Sequence, residues 1–478
     1  MTSAAELARH RQRGAPLPPL RDRVHATLED VELRGAFSVM AQRFNEARRV
    51  ALAEPGMAEL KARGTRLRTE GVAALRENLE AAEASLRRLG VTVHHAATGP
   101  EAARLIAELA RHAGARRAVK SKSMATEEID LNDELERHGI EVFETDLGEW
   151  IIQEAHERPS HIIAPAVHKT RPQITRLFSD VAGHALPDER EELCAFAQQR
   201  LREVFLTADL GISGANFVCA DTGTIVLVTN EGNGRLTTSL PRMHIALVPI
   251  EKVLARFADL ATMLPLLTRH ATGQKLTSYV SMIHGPRRPG ELDGPDELHV
   301  VFLDGGRQAL VGSPFEDMLR CIRCGACLNV CPVYGTIGGH AYGGVYPGPM
   351  GAVLTPLLAD LREGAELPAA TSLCGACAEV CPVGIPLHDL LLDLRAAIAG
   401  RRGSRSPRRR AFFGVWSRVW ARPRLYRASA GVAAFAGRHP RWARHLPVVR
   451  AWHEGRALPP APPETFRSWW RRERAGRG

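Results

Sequence analysis

Seven of the nine cysteines crowd between Cys321 and Cys381. That crowding constrains the fold more than any other feature. The first run reads CIRCGACLNVCP, placing Cys321, Cys324, Cys327 and Cys331 ahead of Pro332. The second reads CGACAEVCP, placing Cys374, Cys377 and Cys381 ahead of Pro382. Two-residue gaps let a tight loop wrap three corners of a cubane. The more distant cysteine, followed by proline, reaches the other cluster in two-cluster ferredoxins. Zinc also takes thiolates, but its sites pair C-x2-4-C spacings and rarely double a C-x2-C-x3-C-P pattern. The spacing therefore predicts two iron–sulfur clusters of the 4Fe-4S kind, and a protein that passes electrons.

Crossing the ligands gives cluster 1 Cys321, Cys324, Cys327 and Cys381, and cluster 2 Cys331, Cys374 and Cys377. A fourth cysteine for cluster 2 would stand three residues before Cys374, where the sequence has Thr371. Cluster 2 is thus either a 3Fe-4S cluster or one whose fourth iron has a non-cysteine ligand. The 42 residues between Cys331 and Cys374 are too many for a compact ferredoxin hairpin. They suit a helical ferredoxin domain of the kind found in iron–sulfur subunits of respiratory dehydrogenases.

The 478 residues suffice for several domains. Residues 1–59 read as an N-terminal helical region. From 60 to 305 strands and helices alternate, which predicts an α/β domain with a mainly parallel sheet. Strands are expected in VTVHH, RRAVKS, IEVFET, SHIIAPAVH, NFVCA, TIVLVT, HIALVPI, TSYVSMIHG and LHVVFLD. Helices are expected in EAARLIAELARHAG, TEEIDLNDELERHG, DLGEWIIQEAH and over 188–205. Residues 306–400 hold the cluster motifs. Cys194 and Cys219, in the apolar words LCAFA and NFVCA, read as reduced core thiols. No apolar run approaches membrane-span length, and the N-terminus has no secretory h-region; both point to the cytoplasm.

Residues 401–478 form a separate unit, expected to be helical. They contain 20 arginines, no lysine and three glutamates, a net +17, which leaves −7 for the first 400 residues. Six of the seven tryptophans also lie there: Trp416, Trp420, Trp442, Trp452, Trp469 and Trp470. Such a tail could dock a partner or lie on an anionic membrane surface. No nucleic-acid-binding signature accompanies the charge, so nucleic acid is not expected as a partner. Aromatics at 412, 413, 416 and 420 share one helical face, favouring helical docking.

In the α/β domain, Lys120, Ser121, Lys122 and Ser123 follow a strand and precede a helix. Such a loop can hold an anion, or it is an exposed basic turn. Glu144, Asp146 and Glu149 form an acidic cluster, with His161 and His168 beyond it. Acid–base chemistry is conceivable there, but solvated helix-start carboxylates and structural histidines are the simpler reading. No G-x-G-x-x-G fingerprint follows a strand. Catalytic residues are not assigned.

Longer words give a resemblance. VKSKSMATEEIDLN (119–132), ETDLGEWIIQ (144–153), PSHIIAPAVHK (159–169), ADLGISGANFVCADTGTIVLVTNEGNGR (208–235), LPRMHIALVPIEK (240–252) and CIRCGACLNVCPVYGTIGGHAYGGVYPGPMGAVL (321–354) resemble the lactate-utilisation iron–sulfur protein B family across nearly the whole chain. The three-cysteine second run also resembles that family's pattern. Asp221 stands where the resemblance leads one to expect Glu. The resemblance implies a LUD-type α/β domain of the ribose-phosphate-isomerase/CoA-transferase type. It implies a role in oxidising L-lactate to pyruvate as a subunit of a complex. Two partners are implied: a cysteine-rich protein like heterodisulfide-reductase subunits, and a smaller LUD-domain protein. A sugar-phosphate or CoA-type enzyme with a regulatory iron–sulfur module remains the rival.

Overall fold

The computed structural model describes residues 17–359, 364–401, 407–438 and 462–475, with positions 7, 361 and 450. It divides into two compact units, Met1–Ile398 and Ala399–Gly478.

The first unit is built on two sheets. Its strands are β1 (Thr92–Ala96), β2 (Arg117–Lys120), β3 (Glu141–Glu144), β4 (Leu210–Ser213), β5 (Phe217–Cys219), β6 (Thr224–Thr229), β7 (Met243–Pro249), β8 (Val253–Leu254), β9 (Tyr279–Ile283) and β10 (Glu297–Leu303). Six form one sheet in the order β1-β10-β7-β4-β2-β3, with every neighbour parallel. Central β7 is buried along its whole length, MHIALVP, as a strand covered on both faces must be. The alternation of strands and helices thus produces the parallel α/β architecture it predicts. A second sheet, β8-β5-β6-β9, was not anticipated; its β5–β6 and β6–β9 pairs are antiparallel.

Local signals set the helices. Gly99–His112 starts where the Thr98 hydroxyl accepts from the Glu101 amide, with Pro100 in the first turn, and it buries Ala102, Ala103, Ile106, Ala107 and Ala110. The helix expected over TEEIDLNDELERHG is two, Met124–Glu128 and Leu131–Arg137, because Asp130 adopts φ 49° between them. Over SHIIAPAVH no strand forms: residues 159–169 run as turns. Pro165 has no amide to give a ladder, and His161 instead folds back to accept from the Ile163 and Ala164 amides. A helix at Arg171–Ala182 precedes the expected one, observed at Arg190–Thr207. In the latter, Leu193, Ala197, Leu201 and Val204 are buried while Cys194, one position off that stripe, is exposed. Cys194 is therefore not a core thiol; Cys219 is fully buried.

The N-terminal helices pack into the same core as the cluster segment. Leu33, Phe37 and Met40 of Val31–Leu52 share one apolar cluster with Met318, Ile322, Tyr334 and Met350. The Phe37 and Tyr334 rings meet edge-on at 5.3 Å. Arg68, on Met57–Ala73, is fully buried and donates to the carbonyls of Glu251, Val253, Leu319 and Arg320. One side chain thus ties a helix, the turn from β7 into β8 and the approach to Cys321.

In the second unit, helices Pro407–Trp420 and Pro423–Arg438 are followed by Phe466–Ala475. Phe412, Phe413, Trp416 and Trp420 are all exposed, and Trp416 stacks on Trp420 at 4.9 Å. Trp469 and Trp470 are exposed too; Trp442 and Trp452 lie outside the described residues. No helix among the described residues is long and apolar enough to cross a membrane.

Candidate functional site

The two cysteine runs fold into repeated loops. Arg323 and Leu373, each one residue before a cysteine, have φ of 60° and 56°. Gly325 and Gly375, each one residue after it, have φ of 75° and 82°. A side chain is costly at such angles, and only glycine takes them freely. At Gly325 an added Cβ would also come within 2.8 Å of Ile163. Each glycine opens a short helix, Ala326–Asn329 and Ala376–Glu379. In this correspondence Cys321 matches Thr371, whose hydroxyl accepts from the Leu373 amide at 3.0 Å.

Tertiary packing then exchanges the last cysteines. Cys321, Cys324, Cys327 and Cys381 line one small cavity. Cys331 lies instead in the electrostatic reach of Cys374 and Cys377. All seven are free of disulfides. The Cys331 sulfur accepts from the Tyr334 amide and the Cys381 sulfur from the Ile385 amide. Among the described residues, no three His, Cys, Asp or Glu side chains converge on a single-ion site. The first four thiols ring a space, as a polynuclear cluster needs. The soft donor set and this arrangement fit iron–sulfur clusters. Cys324, Cys331, Cys377 and Cys381 are buried and Cys321 and Cys327 half-buried, whereas Cys374 is exposed; the second group thus has one thiol at the surface.

Cations gather around the first group. Arg48 couples to Cys324 and Cys327, and Arg68 and Arg323 couple to Cys321. Arg323 also pairs with Glu251 at 2.8 Å and lies 5.1 Å from the Tyr346 ring centroid. Glu251 pairs with Arg307 at 2.7 Å, and Arg307 holds Glu128 through two hydrogen bonds of 2.9 and 2.7 Å. The Tyr346 hydroxyl closes the network on Glu128 at 2.6 Å. Burial alone would raise the Glu251 pKa, but Arg307 and Arg323 hold it below the ordinary value.

Against this wall lies a larger cavity of about 330 Å³, lined by Lys122, Asp146, Glu231, Lys252, Arg323 and Tyr346 among others. Ile162 and Arg323 line both cavities, so a single layer of side chains separates the larger one from the first thiol group. Of the four loop residues singled out in the sequence, Lys122 and Ser123 reach this cavity. Lys122 donates to the Ile163 carbonyl at 2.6 Å. Lys120 is buried, its ammonium held by Thr126, Glu127 and Glu144 at 3.0, 2.8 and 2.6 Å; those three partners use all its donors. Ser121 is buried, its amide donating to Ile212.

The acidic cluster disperses. Asp146 caps the helix Leu147–Glu154 through the Gly148 and Glu149 amides and also lines the cavity. Glu144 serves Lys120 and Asn132. Glu149 is buried away from that lining, and burial pushes its pKa well up. His161 bonds Asn329 at 3.1 Å, next to the first thiol group, and burial lowers its pKa to about 3. His168 serves Ser160 and Glu157. Both histidines are held by protein partners, and neither lines the larger cavity. Lys252, Glu251 and Tyr346 were not singled out as site residues, since no motif marks a cation or acid that meets its partners only through folding.

Residues 79–303 match the LUD domain model, and residues 317–385 match the 4Fe-4S dicluster domain model. A lactate utilization protein B of Geobacillus sp. (strain WCH70) is 42% identical over 461 residues, covering 95% of this chain and 97% of that protein. An uncharacterized electron transport protein, YkgF, of Escherichia coli (strain K12) is 40% identical over 460 residues, covering 95% and 97%. A crystal structure of a duf162 family protein from Deinococcus radiodurans is 15% identical and covers 48% of this chain and 98% of its own, with a TM-score of 0.26.

Proposed function

The chain belongs to the lactate utilization protein B family, and from that premise we propose that it is an iron–sulfur electron-transfer component in the oxidation of L-lactate to pyruvate. The observation that carries this is the exchange of cysteines between the two runs, which gives each thiol group members of both. Iron–sulfur clusters are the cofactors. When bound, they supply one-electron steps, and their potentials depend on charge and on hydrogen bonds to sulfur. The chain's own part is to set those conditions: Arg48, Arg68 and Arg323 bring positive charge to the first thiol group, and the Tyr334 and Ile385 amides donate to the Cys331 and Cys381 sulfurs.

In this reading Cys321, Cys324, Cys327 and Cys381 hold cluster 1, a relay. Cys331, Cys374 and Cys377 hold cluster 2, which meets a partner or ligand through the corner that Thr371 leaves without a thiolate. The protein works in the cytoplasm with two partner subunits, one cysteine-rich and one a smaller LUD-domain protein. The exposed aromatics and +17 charge of the tail suit docking on such a partner, with an anionic membrane surface as the alternative contact. Anaerobic reconstitution, with iron and sulfide analysis and EPR of both redox states, tests the reading: two clusters with distinct signals are expected. A sugar-phosphate or CoA-type enzyme would instead keep turning over after the iron is stripped, and such activity would overturn it.

A further inference from the structure

Lys252 stands out among the charged side chains of the first unit. It is 8% exposed, it lines the 330 Å³ cavity, and it makes no hydrogen bond or ion pair with any described residue. The acid whose charge reaches it, Glu251, is already engaged by Arg307 and Arg323. Burial without a partner disfavours the ammonium and lowers the Lys252 pKa to about 7, and a bound anion would restore the charged form. We propose that this cavity binds the carboxylate of a small 2-hydroxy acid, with Lys252 as its anchor, against the wall that carries cluster 1. The proposal rests on the lactate-oxidising reading above and gives that substrate a place.

Two features of the cavity support the assignment. Its charge is polarised: Lys252 shares the field of Arg323 and Cys321, whereas Glu231 shares that of Asp146 and Lys122. A ligand with its carboxylate on Lys252 would turn its other end toward those two acids, which accept from a hydroxyl but repel a second anionic group. Finally, Ile162 and Arg323 alone are shared between this cavity and that of cluster 1, so a ligand there sits one side-chain layer from the cluster.

The test uses the full-length protein, reconstituted anaerobically, in calorimetric titrations with L-lactate and separately with inorganic phosphate. Saturable lactate binding is expected, weakened about tenfold or more by Lys252→Met, since a charge-assisted hydrogen bond is lost. Lys252→Arg should retain most of it, and phosphate should not compete. Saturating lactate should also perturb the EPR signal of cluster 1 in the unaltered protein, a readout that needs no variant. Unchanged lactate affinity in Lys252→Met with a shifted cluster signal would overturn the proposal and make Lys252 a counter-ion of the cluster. Tighter binding of phosphate than of lactate, or an unperturbed signal at saturation, would overturn it as well. Iron content and reversible reduction by dithionite are measured on the same samples without lactate. If those fail, the electron-transfer reading fails; if they hold and lactate does not bind, only the cavity assignment falls.

Discussion

The Arg323 guanidinium donates to the Glu251 carboxylate at 2.8 Å, joining the residue before Cys324 to the turn after β7. Glu251 is 1% exposed and also answers Arg307. Glu251→Ala therefore leaves the buried Arg323 guanidinium without its carboxylate and Arg307 with Glu128 alone. Breaking a buried pair from one side costs about 3–5 kcal/mol. The variant should melt well below the native protein by circular dichroism and lose the EPR signal of cluster 1 before that of cluster 2. Equal loss of both would mean that the pair supports the whole fold and not this loop.

Cluster ownership is tested by two substitutions. Cys381 lies in the second run but lines the cavity of Cys321, Cys324 and Cys327. Cys381→Ser should damage cluster 1, and Cys331→Ser should damage cluster 2. Iron analysis with EPR of each variant decides it. Damage confined to the cluster of the substituted residue's own run would contradict the crossed assignment.

Thr371 occupies in the second loop the place that Cys321 holds in the first, with the same backbone reversal two residues on, at Leu373 and Arg323. A hydroxyl is a poor ligand for soft iron. Oxidation should yield a three-iron EPR signal from cluster 2 alone, and Thr371→Cys should suppress it because the matching loop already presents a thiolate in cluster 1. A four-iron cluster 2 that survives oxidation unchanged would refute the open corner.

Acid should weaken the turn region over 157–169. Burial alone would raise the Glu157 pKa, but hydrogen bonds and charge from His168 and Lys169, at 2.8 and 2.5 Å, hold it at about 2 against an ordinary 4.5. A depressed carboxylate stabilises the fold fully above its unfolded pKa and loses that contribution as pH falls toward the folded value. The contribution is of order 3 kcal/mol. The gap in Tm between the native protein and Glu157→Gln should be widest near about pH 6 and narrow steadily below about pH 4.5. A constant gap would assign the loss to packing.

Local pattern alone determined much of this protein. Cysteine spacing is a property of neighbours in sequence, so the two loops and the place of Thr371 could be read directly; the glycines that turn those loops, Gly325 and Gly375, were identified only by their backbone angles. Alternating apolar segments likewise revealed five of the six strands of the parallel sheet, because strand and helix periods are properties of neighbours in sequence; β4, Leu210–Ser213, was not expected, and NFVCA, TIVLVT and TSYVSMIHG went to the second sheet. Where local pattern competed with a contact, it lost. The apolar word SHIIAPAVH reads as a strand, yet the His161 ring turns back to accept from the Ile163 and Ala164 amides and reaches Asn329. Lys120 reads as part of an anion loop, yet Glu127 and Glu144 claim it. The arrangement that matters most, Glu251 between Arg307 and Arg323 with Lys252 left over at the edge of a cavity, was decided by tertiary structure. Arg307 and Arg323 stand far from Glu251 in the chain, and the charge of each is ordinary until folding removes water and fixes which acid meets which base.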